Sequence, residues 1–373
     1  MNRFILASLL IVSNVGATHA AAPPDIPPFD SERSTLYTPE DLLTGYSSVP
    51  KDNESLDWKI YKYFGYDDKN KVNKYIPLLD QLRLQRQHDA GMEFAVNEFF
   101  KVDVDGIPTN KRVVSIMGSH SRYRSDKWYK SVARLAYALS KADYFVVSGG
   151  GPGLMEAAHL GAYMARNYSS KDLETALDML DMSATNEKPQ RCDRNKKQYE
   201  MCDFWSNALE VTRRFKNGGE SLGIPTWFYG HEGANAFSLH VAKFFSNALR
   251  EEKLSSVGSH GVIFAPGGPG TAQEVFMDAA QNAYHSYNSM SPMVFFNDPS
   301  PVDPCKGATN PVSDCKEDPT GKMLELVELQ TSKEFKEKKM LLRSNDPQEI
   351  IKFLDQKGNV FCKYGDPECR PRQ

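Results

Sequence analysis

The stretch RVVSIMGSHSRYRSDKWYKSVARLAYALSKADYFVVSGGGPGLMEAAHLGAYMARN, Arg112 to Asn167, decides the fold class. Its two short apolar runs, RVVSIM and YFVVS, lack the alternation of a strand wetted on one face. Strands without alternation are buried on both sides, which predicts a parallel sheet covered by helices. The segments DKWYKSVARLAYALSKA and LMEAAHLGAYMARN have helix length, with apolar residues three and four apart. Further apolar runs follow at Leu222 to Tyr229, Gly261 to Ala265 and Pro292 to Phe296. Five strands with helical crossovers predict an α/β fold with a doubly wound, Rossmann-like parallel sheet, in a domain from residue 109 to 300.

Outward from that domain the texture changes. Residues 1–20 put Arg3 before an apolar stretch from Phe4 to Val12 and end in small residues, which reads as a signal peptide cleaved after Ala20. The apolar run is too short for a membrane span. A proline-rich leader and two or three helices are expected over 21–108, and the 301–373 segment reads as a cysteine-containing loop followed by helices at Leu324 to Leu342 and Asp346 to Gln356, packed on the core. The stretch from Ser169 to Gly219 is longer than one crossover needs and predicts an inserted excursion.

The 373 residues carry 40% hydrophobic content and a net charge of -3, with no dense basic block, so the composition suits a folded domain and excludes nucleic acid as a partner. Six cysteines fall into near-neighbour pairs, Cys192 with Cys202, Cys305 with Cys315, and Cys362 with Cys369. Sequential disulfides are the simplest pairing, each closing a short polar loop for about 2 to 3 kcal/mol. No CxxC spacing supports zinc. Leader and cysteines together predict an exported protein, periplasmic or secreted, without a membrane span once the leader is removed.

Ligands of open parallel sheets sit beyond the carboxyl ends of the strands. Three such ends stand out. In IMGSHSRYR, Gly118 allows close backbone approach and Ser119, His120 or Arg122 can donate, although a plain strand-to-helix turn is the better reading of the segment taken alone. In VVSGGGPGLMEAA, Gly149, Gly150, Gly151 and Gly153 exceed what a tight turn needs, which favours close approach of a phosphate or ribose; the run is neither a dinucleotide fingerprint nor a P-loop. In VIFAPGGPGTAQEVFMDAA, Val262 to Ala280, residues Gly267, Gly268, Gly270 and Thr271 gather amide N–H groups into an anion nest at a helix start. Thr271 and Glu274 also have the spacing of a capping box, so on spacing alone Glu274 is as readily a cap as a catalyst.

The pairing of GGGPGLMEAAHLGA with PGGPGTAQE resembles the LONELY GUY family, whose members carry a GGGxxGLM-type turn and PGGxGTxxE. The resemblance spans about residues 110 to 300. It implies a phosphoribohydrolase that splits nucleoside 5′-monophosphates into base and ribose 5-phosphate, with Glu274 catalytic and the glycines of both turns holding phosphate and ribose. It also implies a homodimer and no metal or redox cofactor. The family's Arg-Lys pair on the helix before PGG is missing. In SLHVAKFFSNALREEKL the polar residues available are Lys243, Asn247, Arg250 and Glu251, with Arg250 the first choice as catalytic partner and Lys243 the second, as a ligand contact.

The chemistry is consistent with these residue types. Breaking an N-glycosidic bond builds positive charge on ribose, which a carboxylate stabilises while orienting or deprotonating water. Arginine releases no proton at neutral pH, so the leaving base is protonated by water or by a histidine such as His120. Trp227, Phe228 and Tyr229 end a strand at the same edge, where they either stack on a base or join the core. Competing readings are a non-catalytic sensor of nucleotides or ADP-ribose derivatives and a structural domain whose glycines only turn the chain. Lysine decarboxylase, a label often given to this family, needs a Schiff-base lysine that neither turn carries.

Overall fold

Strand β1, Arg112–Met117, is the axis of the molecule, and its own side chains divide the two cores. Val113 and Met117 enter one apolar cluster, Val114 and Ile116 the other, as the period of two in a strand requires. The computed structural model describes residues 27–46, 54–64, 79–181, 203–228, 233–296, 320–361 and 370–371. The leader, all six cysteines and Tyr229 lie outside the described residues.

Around β1 run β2 (Tyr144–Ser148), β3 (Leu222–Gly223), β4 (His240–Val241), β5 (Gly261–Phe264), β6 (Ser289–Met290), β7 (Met293–Phe295) and β8 (Leu341–Arg343). Seven of these form one sheet in the order β4-β3-β2-β1-β5-β7-β8, and every pairing in it is parallel. The fold is thus a doubly wound, Rossmann-like α/β fold. Chain order reverses between β1 and β5, so the ligand crevice of such a sheet opens beyond the ends of those two strands.

Helices α1 (Pro39–Leu43), α2 (Leu56–Tyr63), α3 (Leu79–Phe100), α4 (Lys127–Lys141), α5 (Leu154–Ala165), α6 (Ser170–Leu180), α7 (Asp203–Arg214), α8 (Asn247–Ser256) and α9 (Pro269–Tyr284) account for the crossovers and the N-terminal extension. Tyr129, Val132 and Leu139 of α4 and Leu154 and Leu160 of α5 cover one face of the sheet. Met92, Val96 and Phe100 of α3, with Val275 of α9, cover the other. Full burial of each such side chain contributes about 1.5 to 3 kcal/mol, so the N-terminal helices are an integral layer. The excursion after Ser169 contains α6 and α7. Among the described residues no helix is long and apolar enough to cross a membrane.

Two sequence expectations change. The segment from Ser238 to Leu254 is not one helix: His240 and Val241 pair with Leu222 and Gly223, and Val241 also bridges Tyr37 of the N-terminal arm. The helix begins only at Asn247, because Asp89 of α3 accepts the Phe245 and Ser246 amides at 2.7 and 2.9 Å. Ser246 supplies no side-chain cap, and the buried Asp89 carboxylate holds the two amides that lead into the helix. Second, the sheet does not end at residue 300. The helix expected over Leu324 to Leu342 is instead Thr320–Gln330 and Lys333–Glu337, followed by β8, whose Leu341 to Arg343 extend the sheet beside β7.

Candidate functional site

The three glycine-bearing ends meet at the switch point. Ala265 N–H donates to Met117 O at 2.8 Å, Ser119 N–H to Pro266 O at 3.2 Å, and Leu154 N–H to Ser119 O at 2.9 Å. The loops after β1, β2 and β5 are therefore stitched together by their own backbones.

The turn at Gly149 to Gly153 is closed. A Cβ on Gly149 would sit 2.5 Å from Arg250 Nη2, one on Gly150 2.9 Å from the Gly223 backbone, and one on Gly153 2.4 Å from the Ser119 carbonyl oxygen. Gly150 and Gly153 also have φ of +69°, where only glycine rests without strain. Asn235 fastens the turn: its Nδ2 donates to Gly150 O at 2.9 Å and Gly151 O at 3.3 Å. Backbone contacts confine Gly150 and Gly153, the side-chain ends of Arg250 and Met155 fill the space beside Gly149, and Gly118 is tight but less confined, 3.1 Å from Leu154 and 3.2 Å from Ala265 at its Cβ position.

The turn at Pro266 to Gly270 is open. Nothing lies within 4 Å of a Cβ on Gly268 or Gly270. Gly268 is the N-cap of α9 without a side-chain cap, and among the described residues neither its amide nor that of Gly270 has an acceptor. Only Gly267 is confined, by Thr271 Oγ1 at 2.0 Å from its Cβ position. With Pro269 at the first helical position, Thr271 is not the N-cap and Glu274 not its N3 partner, so the capping-box role does not apply.

Glu274 instead faces α8. Arg250 Nη1 donates to Glu274 Oε1 at 3.0 Å and Arg250 Nε to the Ile224 carbonyl at 2.9 Å, both side chains being buried. Burial pushes the Glu274 carboxyl up to about 7, opposed by Arg250 and reinforced by Glu251. One turn along α9, burial likewise raises Asp278 to about 7, against hydrogen bonds from Ser255 at 3.0 Å and Ser291 at 3.5 Å. Among the described residues no group of three or more His, Cys, Asp or Glu is placed to hold a metal.

Of the two cations weighed from sequence, only Arg250 reaches Glu274. Lys243 lies outside the helix, fully buried, with Nζ 2.7 Å from Asp57 Oδ1 of α2, so it is no ligand contact at the switch point. The same Asp57 oxygen accepts Trp227 Nε1 at 2.7 Å, and Trp227 stacks on Phe245 with centroids 4.5 Å apart, which makes it a core residue. His120 is exposed on the loop after β1, where Ser119 Oγ and Ser121 Oγ are 2.8 Å apart. Asn235, Glu251 and Asp278 were not singled out as site residues from sequence. Only their positions relative to the folded turns give them a role.

No protein-family model and no curated protein matches this chain. Among solved structures, it is similar to the molybdenum cofactor binding protein from the phototrophic bacterium Rippkaea orientalis, with 14% identity, a TM-score of 0.36, and coverage of 66% of this chain and 97% of that one.

Proposed function

We propose that the switch-point site hydrolyses the N-glycosidic bond of nucleoside 5′-monophosphates, releasing free base and ribose 5-phosphate, as the resemblance to LONELY GUY proteins implies. The observation that carries this reading is a buried Arg250–Glu274 ion pair one helical turn inside α9, whose N-terminal turn is open. Amides at Gly268 and Gly270 and the α9 dipole suit a phosphate. Glu274 then supplies a carboxylate for the charge developing on ribose, and it takes the proton of the attacking water as the C1′–O bond forms and the C1′–N bond breaks. The base leaves with a proton from Glu274 or solvent. A carboxyl titrating near 7 is available as both acid and base at neutral pH.

Purified protein incubated with a panel of nucleoside monophosphates should release free base and ribose 5-phosphate, resolved by chromatography. Nucleotide binding without base release, across all bases and sugar phosphates, would replace this reading with the nucleotide-sensing one. The leader and cysteine pairs support an exported, disulfide-bonded protein, which six reactive thiols in unreduced, denatured protein would refute. The proposed homodimer predicts about twice the chain mass by light scattering; the mass of a single chain would refute it.

A further inference from the structure

Beside Arg250 on α8 stands Glu251, in the place of the lysine that the resemblance leads one to expect. Its side chain is 1% exposed. Oε2 accepts a hydrogen bond from Gln273 Nε2 of α9. Oε1 lies 3.9 Å from Arg250 Nη1 and has no hydrogen-bond partner among the described residues. A buried carboxylate oxygen without a donor is costly, so it calls for an occupant. A charged donor already beside it, at 3.9 Å, is the same Nη1 that now holds Glu274 at 3.0 Å. Two buried carboxylates thus compete for one guanidinium.

We infer that Glu251 is a positioning residue that acts through Arg250: it receives Nη1 when Glu274 lets go, freeing the Glu274 carboxylate to face substrate. This rests on the reading of Glu274 as the reacting carboxylate. A pair locked only onto Glu274 would hold that carboxylate ionised, weakly basic and turned toward α8. The vacant Glu251 oxygen gives the guanidinium a second seat close to the first, so the exchange needs no movement of the backbone. The charged groups around the pair are few. Arg250 and Glu251 face Glu274 from α8, and Asp278 follows on α9, occupied by Ser255 and Ser291. Glu93 of α3 reaches α8 but pairs with Lys253 at 3.3 Å. The influence of Glu251 on Glu274 agrees in sign, since its negative charge raises the Glu274 carboxyl while Arg250 lowers it.

Glu251→Gln preserves the size of the side chain and a polar contact to Gln273 but removes the charge that competes for Arg250. Two readouts test it. In pH-rate profiles with a nucleoside monophosphate, the acidic limb should move down by about one pH unit and kcat should fall roughly tenfold with KM nearly unchanged, while Glu251→Asp recovers part of the loss. In ligand-free protein carrying 13C-labelled glutamate, the Glu274 carboxyl resonance, assigned by its loss in Glu274→Gln, should titrate about one unit lower in Glu251→Gln than in wild type. An unmoved Glu274 titration in a folded Glu251→Gln protein overturns the inference, whatever the activity. A wild type that binds nucleotide without turnover overturns the catalytic reading instead, and the resonance still decides whether Glu251 governs Glu274.

Discussion

The two glycine turns look alike as sequence, GGGPG and PGGPG, yet the protein treats them in opposite ways. In the first, at Gly149 to Gly153, each glycine whose Cβ position is confined is confined by the protein itself, and the charges beneath are settled. Arg124 grips Glu156 with two hydrogen bonds at 2.9 and 2.6 Å while Tyr129 adds a third at 2.8 Å. His159 sits between Ser148 and Ser221, held neutral by burial, which lowers it to about 3. In the second, Gly268 and Gly270 face open space, Glu274 and Glu251 share a single arginine, and Asp278 has only neutral hydrogen-bond donors. Regions where local rules are all satisfied hold a fold together; regions where they are left unmet are where a functional or a strained site is expected. On this view the first turn is a clamp and the second a receptor.

The largest effect expected from that difference is on the clamp. Gly153→Ala places a Cβ against the Ser119 carbonyl at φ of +69°, combining backbone strain with a steric clash. A loss of about 3 kcal/mol in urea unfolding is expected, with nucleotide binding lost only as the protein unfolds. A fully stable Gly153→Ala protein that fails to bind nucleotide would reverse the assignment and make the first turn a receptor too.

Next comes the unsettled charge beneath the open turn. Asp278 titrates near 7 when folded and near the usual 3.9 when unfolded. Between those values the folded state binds the extra proton, so its stability falls as pH rises through the window and stays lower above it. Asp278→Asn removes this dependence. The variant should match wild type near pH 4 and exceed it at pH 6 by roughly 2 to 3 kcal/mol in urea unfolding, an advantage that persists at pH 8. Equal stability at pH 8 would mean that the carboxylate is better solvated than its burial implies.

How much of this contrast was legible beforehand depends on range. The apolar runs of β1, β2, β5 and β7 announce themselves, because burial on both faces writes a continuous pattern into consecutive residues. Both turns were visible as glycine clusters, but whether a glycine is confined by the protein depends on residues far off in sequence, as Gly149 is by Arg250. The strand at His240 and Val241 was hidden because two residues make no period, and Phe244 and Phe245 follow Val241 at the helical spacings of three and four. What stops the helix is Asp89, more than a hundred residues earlier. The true start of α9 was readable: Pro269 favours the first helical position and displaces Thr271 from the cap.

A smaller effect in free energy, though the most direct for function, is expected at Glu274. Glutamine retains the shape and an acceptor for Arg250 but carries no negative charge. Glu274→Gln should bind nucleoside monophosphate nearly as wild type does and lose turnover by roughly a hundredfold or more, about 2.7 kcal/mol in the barrier. Near wild-type hydrolysis by this variant would remove Glu274 from the chemistry. Wild-type activity should itself rise as pH passes about 7, where the carboxyl loses its proton.

The smallest effect tests the receptor directly. Gly268 has φ of -97° and ψ of -155°, an extended conformation open to any residue, and no atom lies within 4 Å of its Cβ position. Gly268→Val therefore meets no clash, and the cost to the start of α9 is the ordinary difference between glycine and valine at an N-cap, under about 1 kcal/mol. Its branched side chain projects into the open space at the start of α9, which the proposed phosphate would share. Nucleoside monophosphate binding by calorimetry should weaken about tenfold, equivalent to about 1.4 kcal/mol, with the melting temperature almost unchanged. The corresponding change in the clamp, Gly150→Val, should do the reverse, because its Cβ meets the Gly223 backbone at 2.9 Å and φ is +69°. Loss of binding at Gly268 without loss of stability, beside loss of stability at Gly150 before any loss of binding, is the pattern that distinguishes receptor from clamp. Unchanged nucleotide affinity in Gly268→Val would mean that the open turn is not where the phosphate rests.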